Sequence, residues 1–435
     1  MRARFLTVAF ISVVAAGCGS VTSPVAGGSG TPSASQSAAA SRQPAAVSPT
    51  VSGSQSPGTG SSGKGTASPS PRLGAAGQAT ACPGSPAVVY PPEVAGMQFV
   101  SATQGWMAGN NQILATTDGG AHWSVQLTGA LGLNSVDFIS GQVGWVVGAD
   151  TLLTTSDGGA HWTSLPEPCP VIRSVHFISP LTGFAVAGGT NVSGMGPLAP
   201  ETGGVLLTTV DGGHTWHLLL APADAQTVCF SDPLHGWLGA GGRLYASADG
   251  GAHWTVSTGS PVPRSSDNPP TMVVECAGDG TAWAVDEGPG AEMSQSPHVG
   301  YHADPAGAAA IFAENYFEPP GTYPAESPGS EAGPFSAISP TVAAFIDFCP
   351  ACGTGLAPWD LATDSGTRLT REGDVAGISI AAAASFISPQ VGWVAGVETV
   401  YKGGSTFRYQ QRIVFTGDGG RSWQVQYAGP WSSNE

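Results

Sequence analysis

Five copies of one string, DGGxxW, set a carboxylate four residues ahead of a second polar or charged side chain and five ahead of an indole. The pairs are Asp118 and Trp123, Asp157 and Trp162, Asp211 and Trp216, Asp249 and Trp254, and Asp418 and Trp423. In three copies the residue before the Trp is a histidine (His122, His161, His253). An acid, an imidazole and a ring side by side are the ingredients of a catalytic signature, and three histidines would also interest a metal. Cys349-Pro350-Ala351-Cys352 adds the CxxC spacing of thiol redox and zinc sites.

Spacing argues against joint action. Copies whose shortest spacing is 38 to 39 residues mark a repeat architecture in which each copy builds one unit. Equivalent residues on separate units radiate apart, whereas metal ligands converge to about 2 Å from one point. The redox reading of Cys349 and Cys352 lacks a βαβ context and the zinc reading lacks a second CxxC pair, so a local structural disulfide is expected there.

Each unit contains a hairpin. In Leu152 to Leu165, strands Leu152 to Ser156 and His161 to Leu165 flank an Asp-Gly-Gly turn, where Asp supplies side-chain bonds and Gly supplies positive φ. The carboxylate is expected to accept backbone N–H groups across the turn, with the Thr or Ser two residues earlier bonding it from the side. The Trp is expected to fold over the hairpin as a core anchor. A second string precedes each box: FVSATQGWMAG, FISGQVGWVVG, FISPLTGFAVAG, FSDPLHGWLGAG and FISPQVGWVAG, starting at Phe99, Phe138, Phe177, Phe230 and Phe386. Each reads as strand, polar turn, then a Gly-Trp or Gly-Phe strand. Together the strings make a four-stranded blade. The 169 residues between Asp249 and Asp418 hold weaker copies, with decayed boxes at Asp304 and Asp364. The expected fold is all-β: a seven-bladed β-propeller with four-stranded antiparallel blades and Asp-box hairpins, over residues 88–427.

The strings resemble the Asp-box, or BNR, motif S/T-x-D-x-G-x-x-W of sialidases, sortilin-like receptors and Ycf48-type photosystem II assembly factors. In sialidases the boxes are structural, and catalysis uses an arginine triad, a Tyr/Glu pair and an Asp. The propeller segment has eight arginines and no Arg-Ile-Pro string, so none of those positions carries over. Related glycoside hydrolases need two carboxylates across a cleft, typically between two propellers, and one propeller fits here. The Ycf48 resemblance implies a non-enzymatic protein that binds a membrane-protein intermediate, partly through an arginine-rich patch. The comparable cluster here is Lys402, Arg408 and Arg412, and nothing in the chain indicates photosynthesis.

The N-terminus adds a location. Residues 1–18 carry Arg2 and Arg4, an apolar stretch from Phe5 to Ala16, then Gly17-Cys18. This looks like a bacterial lipoprotein signal with lipidation at Cys18, although the first lipobox position is Ala15 instead of Leu. The apolar stretch is too short to span a bilayer. Residues 19–80, rich in Ser, Gly, Pro and Ala, read as a disordered tether. The expected product is exported and lipid-anchored to the outer face of the cell membrane. Six further cysteines, Cys82, Cys169, Cys229, Cys276, Cys349 and Cys352, are disulfide candidates. Cys82 and Cys169 are expected to staple the N-terminal arm, while Cys229 and Cys276 fall on first strands of neighbouring blades. A net charge of −16 with two lysines disfavours nucleic acid, and no motif asks for a cofactor or metal.

Loop length points to the working face. The SPxxG turns and Asp boxes share one face, whereas the long insertions fall on the other: Gly189 to Gly204, Ser257 to Thr271, Asp286 to Gly300, Phe317 to Phe335 and Val397 to Phe407. A rigid scaffold with variable loops is a recognition layout. Candidate contacts are Glu201, Arg264, Asp267, Glu287, Tyr323, Tyr401, Lys402, Phe407 and Arg408, with Glu292, Tyr316 and Phe317 beside them. The expected function is binding of an unknown protein partner or assembly intermediate at the membrane surface. The alternative is a carbohydrate-binding or glycoside-hydrolase, sialidase-like cell-wall protein, with a glycan as ligand.

Overall fold

The F…GW string forms a hairpin because its Phe needs a bare backbone opposite it. Phe99 pairs with Gly105 across the first two strands, and a Cβ on Gly105 would lie 2.5 Å from the ring. Gly144, Gly183, Gly236 and Gly392 face Phe138, Phe177, Phe230 and Phe386 in the same way, at 2.2–2.5 Å. The ring therefore lies flat over the neighbouring strand, and any side chain there collides with it.

The computed structural model describes residues 94–433 apart from 110, 130–131, 149–150, 170–171, 192–200, 260–270, 289–297, 315–330, 349–355 and 404–405. They form seven four-stranded antiparallel sheets, each made of consecutive strands. The blades cover residues 96–128, 133–164, 172–219, 225–259, 271–314, 331–375 and 380–433. First strands touch first strands in cyclic order, and that of blade 7 (Ile380–Phe386) meets that of blade 1 (Gly96–Phe99), which closes a seven-bladed propeller. Closure among the described residues is by packing and side-chain bonds: Trp393 of blade 7 stacks on Phe99 at 3.5 Å and donates its indole N–H to the Gly119 carbonyl. Val88 to Tyr90, a candidate closing strand, lies outside the described residues, and the last strand runs on past Tyr427 to Ser433.

The same stack recurs around the ring. Trp106 lies on Phe138 at 3.6 Å, Trp145 on Phe177 at 3.5 Å and Phe184 on Phe230 at 3.6 Å, always second strand of one blade to first strand of the next. Such stacks are worth about 0.5–1.5 kcal/mol each beyond the area they bury. Beside each stack, the residue preceding the Phe position ties its blade to the next one. Gln98 Oε1 accepts the Phe138 N–H at 2.6 Å, Asp137 Oδ2 accepts that of Phe177 at 2.6 Å, and His176 Nε2 meets the Phe230 carbonyl at 2.8 Å. Glu275 Oε2 accepts the Ala337 N–H at 2.8 Å, Ser336 Oγ that of Phe386 at 3.0 Å, and Ser385 Oγ that of Phe99 at 3.0 Å.

The seventh junction, between blades 4 and 5, is covalent. Cys229 holds the position of Gln98, opposite Trp237, and Cys276 holds that of a Phe, opposite Ala282. The two are joined by a disulfide across the blades. Cys169 is also disulfide-bonded; its expected partner Cys82, together with Cys349 and Cys352, lies outside the described residues, as do Cys18 and the tether.

Because this disulfide stands where a stack stands elsewhere, its loss should be felt locally and globally. Replacing Cys229 by Ser is expected to lower stability by about 2–4 kcal/mol in urea unfolding. Hydrogen exchange should speed up first in Ala225–Phe230 and Thr271–Gly278. An unchanged midpoint would show that backbone packing alone carries this junction.

Candidate partner-binding surface

The Asp boxes use their polar groups internally. Thr116 Oγ1 donates to Asp118 Oδ1 at 2.9 Å, the same oxygen accepts the His122 N–H at 2.9 Å, and Thr116 Oγ1 also accepts the Gly120 N–H at 2.8 Å. The turn needs positive φ at both glycines, 74° at Gly119 and 89° at Gly120. Asp157, Asp211, Asp249 and Asp418 repeat this cap. His122, His161 and His253 each place Nδ1 2.6–2.7 Å from the carboxylate of their own box. The three histidines therefore serve separate blades, as their repeat positions required.

The box tryptophans do something the strings alone left open. Instead of covering only its hairpin, each indole stands edge-on against the first-strand Phe of its blade. The pairs are Trp123 on Phe99, Trp162 on Phe138, Trp216 on Phe177, Trp254 on Phe230 and Trp423 on Phe386, with centroids 5.9–6.5 Å apart. The first box glycine also accepts the indole N–H of the preceding blade, Trp106 to Gly158 and Trp145 to Gly212, both at 3.1 Å. Of the decayed boxes, Asp304 keeps the cap, accepting the Ala306 and Ala308 N–H groups at 2.9 and 3.0 Å. Asp364 does not: with Ser365 it takes a left-handed conformation (φ 54° and 58°) in a tighter turn closed through backbone carbonyls.

The opposite face carries a feature that loop counting misreads. Val397 to Phe407 is not an insertion loop but part of a long hairpin, Gly392–Gly403 with Thr406–Thr416, flanked by Gln424–Ser433. The equivalent strands of blade 1 have five residues each. The alternation of Val, Thr, Tyr and Phe on both sides of Gly403-Gly404 is the strand signal that could have revealed it. The strands of blade 7 are the longest among those described and form a three-stranded spur; the hairpin of blade 3, Gly183–Asn191 with Glu201–Thr209, is extended less.

Its side chains form one connected group. Arg408 lies over the Trp431 ring at 4.1 Å, with Arg412 at 5.9 Å. Arg412 ion-pairs with Glu398 and donates twice to Gln410 Oε1, at 3.0 and 3.1 Å, while Gln410 Nε2 donates to the Gly429 carbonyl at 2.7 Å. A bulge at Gly429-Pro430 sets Trp431 opposite Gln410 and beside Arg408. Trp431 remains 38% exposed, and Lys402 is exposed near the tip.

Of the expected contacts, Arg408 and Lys402 are thus brought onto this spur. Glu287 ends the second strand of blade 5 and is partly buried. Glu201, Tyr401 and Phe407 lie on strands, but their side chains are outside the described residues, as are Arg264, Asp267, Tyr323, Glu292, Tyr316 and Phe317. Nothing in the sequence alone singles out Trp431, Gln410 or Glu398, since only register brings Trp431 to Arg408.

One buried carboxyl stands apart from both faces. Asp360, on the third strand of blade 6 (Ala357–Thr363), is 1% exposed, and neither oxygen has a hydrogen-bond partner among the described residues. Burial pushes its carboxyl up to about 7; Arg371 pulls it down and Glu372 pushes it further up. Asp118 goes the other way, held down at about 2 by the His122 backbone N–H and then by the His122 ring.

Residues 88–169, reaching from ahead of blade 1 to just past blade 2, match the family model described as photosynthesis system II assembly factor YCF48. No curated protein matches the chain. Similar solved structures include YCF48 bound to a D1 peptide, 19% identical with a TM-score of 0.46, covering 70% of this chain and 90% of that one. Another is YCF48 from Cyanidioschyzon merolae, 16% identical with a TM-score of 0.46, covering 71% and 94%. An ancestral GH74 enzyme is 14% identical with a TM-score of 0.46, covering 77% and 54%.

The two displaced carboxyls give opposite pH signatures. Asp118 is stabilising above the ordinary carboxylate range, and that contribution is lost as pH falls toward 2. For Asp360 the unfolded chain ionises from about pH 4 and the folded chain only near 7, so stability should fall as pH rises through that window. Asp360→Asn is expected to remove this decline. Urea midpoints at pH 5 and 8 for both chains measure it; parallel profiles would show that Asp360 ionises in the fold without cost.

Proposed function

We propose that this chain is a non-enzymatic scaffold that binds a protein partner or assembly intermediate through the blade-7 spur and the neighbouring loop face. It is held at the outer face of the bacterial membrane by a lipid on Cys18 and the 19–80 tether. The observation that carries the reading is the spur itself: a rigid sheet extension presents Arg408 on a half-exposed Trp431 in a chain of net charge −16. Arg and Trp are the residues that dominate protein interfaces. A positive patch on an otherwise acidic body favours an acidic segment of a partner and sets its orientation.

Two further observations support it. The box carboxylates and histidines are consumed in capping their own turns, on separate blades. The Cys229–Cys276 disulfide suits an oxidising compartment and hence export. The similarity of residues 88–169 to an assembly-factor family points the same way.

A photo-crosslinking residue in place of Trp431, in intact cells, should yield a discrete protein adduct. The same residue at Val125, exposed on the outer strand of blade 1, should not. Arg408→Glu should reduce the adduct at least tenfold without lowering the unfolding midpoint, and high salt should weaken it. Adducts that ignore Arg408→Glu, or that form equally at both positions, would refute the spur as the contact. Cys18→Ser should move the protein from the detergent to the aqueous phase in detergent partitioning; no movement removes the anchor.

A further inference from the structure

The junction between blades 4 and 5 has lost more than its aromatic stack. In blade 1, Trp106 sits opposite Ala115, and this pair is covered by two rings from blade 2: Phe138 stacked at 3.6 Å and the box indole of Trp162 edge-on to it at 6.1 Å. Trp106, Ala115, Phe138 and Trp162 form one packed cluster. Blade 4 presents the same floor, Trp237 opposite Ala246. Blade 5 supplies neither ring. Cys276 replaces the Phe, and Ala309, five residues after Asp304, stands where a box Trp would be.

The two losses have different outcomes. The disulfide occupies the place of the Phe, and Trp237 is 2% exposed beneath its neighbours. Ala309 packs against the core around Cys229 and Trp237, and beside it a cleft of about 190 Å³ opens on the Asp-box face, lined by His235, Trp237, Ala246, Thr255, Pro305 and Ala306 among others. Blade 6 also lacks a box Trp, with Leu369 in its place, but there Phe312 and Phe345 fill the junction against Trp283. At blades 4 and 5 nothing of comparable size moves in among the described residues.

From this geometry we propose that the cleft binds one aromatic side chain of a protein partner, seated where the chain's own box indole sits at the neighbouring junctions. Both walls are built. Ser247 and Asp249 cap the blade-4 turn. The blade-5 turn is capped by Asp304, and its Gly307 carbonyl accepts from Ser257 Oγ. The slot selects mainly by shape: of the five box indoles in the equivalent places, those of Trp123, Trp162, Trp254 and Trp423 have no hydrogen-bond partner for their nitrogen among the described residues, and only Trp216 donates, to the Gly213 carbonyl at 3.1 Å. A Phe ring loses nothing polar on entering, a Trp only the hydration of one N–H, and in either case a flat ring gains apolar contact with Trp237, Ala246 and Pro305. That the ring belongs to a protein rests on the protein-binding reading above; the slot itself does not.

The test uses the full chain and N-acetyl-L-tryptophanamide as probe, read by NMR at the Trp237 indole N–H and the Gly280 and Ala306 amides. Saturable shifts confined to these groups are expected, with N-acetyl-L-leucinamide at least tenfold weaker. Ala309→Trp, which returns an indole to the slot, should weaken the tryptophan probe at least tenfold and raise the unfolding midpoint. If that variant does not fold, Ala306→Phe on the exposed wall should block the probe equally. Absence of shifts, equal response to both probes, or binding that survives in the folded blocking variant overturns the proposal. Probe binding without any crosslinked protein would leave the slot standing and remove the protein-binding reading instead.

Discussion

A ring from one blade laid flat on a ring of the next is the interaction on which this molecule depends. Trp106 on Phe138, Trp145 on Phe177, Phe184 on Phe230 and Trp393 on Phe99 are all at 3.5–3.6 Å. Each stack needs three residue choices at once: the aromatic on the second strand, the Phe on the next blade and the glycine beneath that Phe. A blade buries little by itself, so the area hidden in these stacks is what makes seven small sheets one core. The box Trp braces the edge of each Phe, and the first box glycine accepts the neighbouring indole N–H. The Asp cap is thus remote support for the stack: it fixes the turn whose carbonyl the indole needs.

This division of labour explains why the most chemical-looking residues leave function elsewhere. A carboxylate that already accepts a backbone N–H and a hydroxyl, and whose ionised form is held down to about 2 as in Asp118, makes a poor proton donor or acceptor near neutrality. The opposite face is free of that task, and blade 7 uses the freedom to extend three strands together. Extending a hairpin adds paired backbone and keeps Arg408 and Trp431 on a rigid surface, whereas a flexible loop would lose side-chain and backbone entropy on binding.

The blade count and the hairpins were legible because Asp, Gly and Trp recur at one spacing, and each has a local reason to be there. The ties between blades were not. The residue before the Phe is Gln98, Asp137, His176, Cys229, Glu275, Ser336 or Ser385, which share no pattern beyond reaching a backbone group or a sulfur one blade away. The spur is hidden for a different reason: Val397 to Phe407 counts as extra length between strands, although its alternation of Val, Thr, Tyr and Phe spells strand. Trp431 meets Arg408 only through a bulge, and a one-residue change of register would have separated them.

The weak junctions have a place in this scheme. In a closed ring every blade is held at two junctions, so loss of aromatic packing at one of them does not release a blade while its other neighbour holds. Blades 5 and 6 show two ways of living with that loss. One junction refills itself with Phe312 and Phe345, and the other exchanges a stack for the Cys229–Cys276 bond. A covalent bond fixes the separation of two strands but fills far less space than an aromatic ring. The junction held by the disulfide also lacks a box Trp, with Ala309 in that place, and it is this second loss that leaves room between its blades for a side chain from outside.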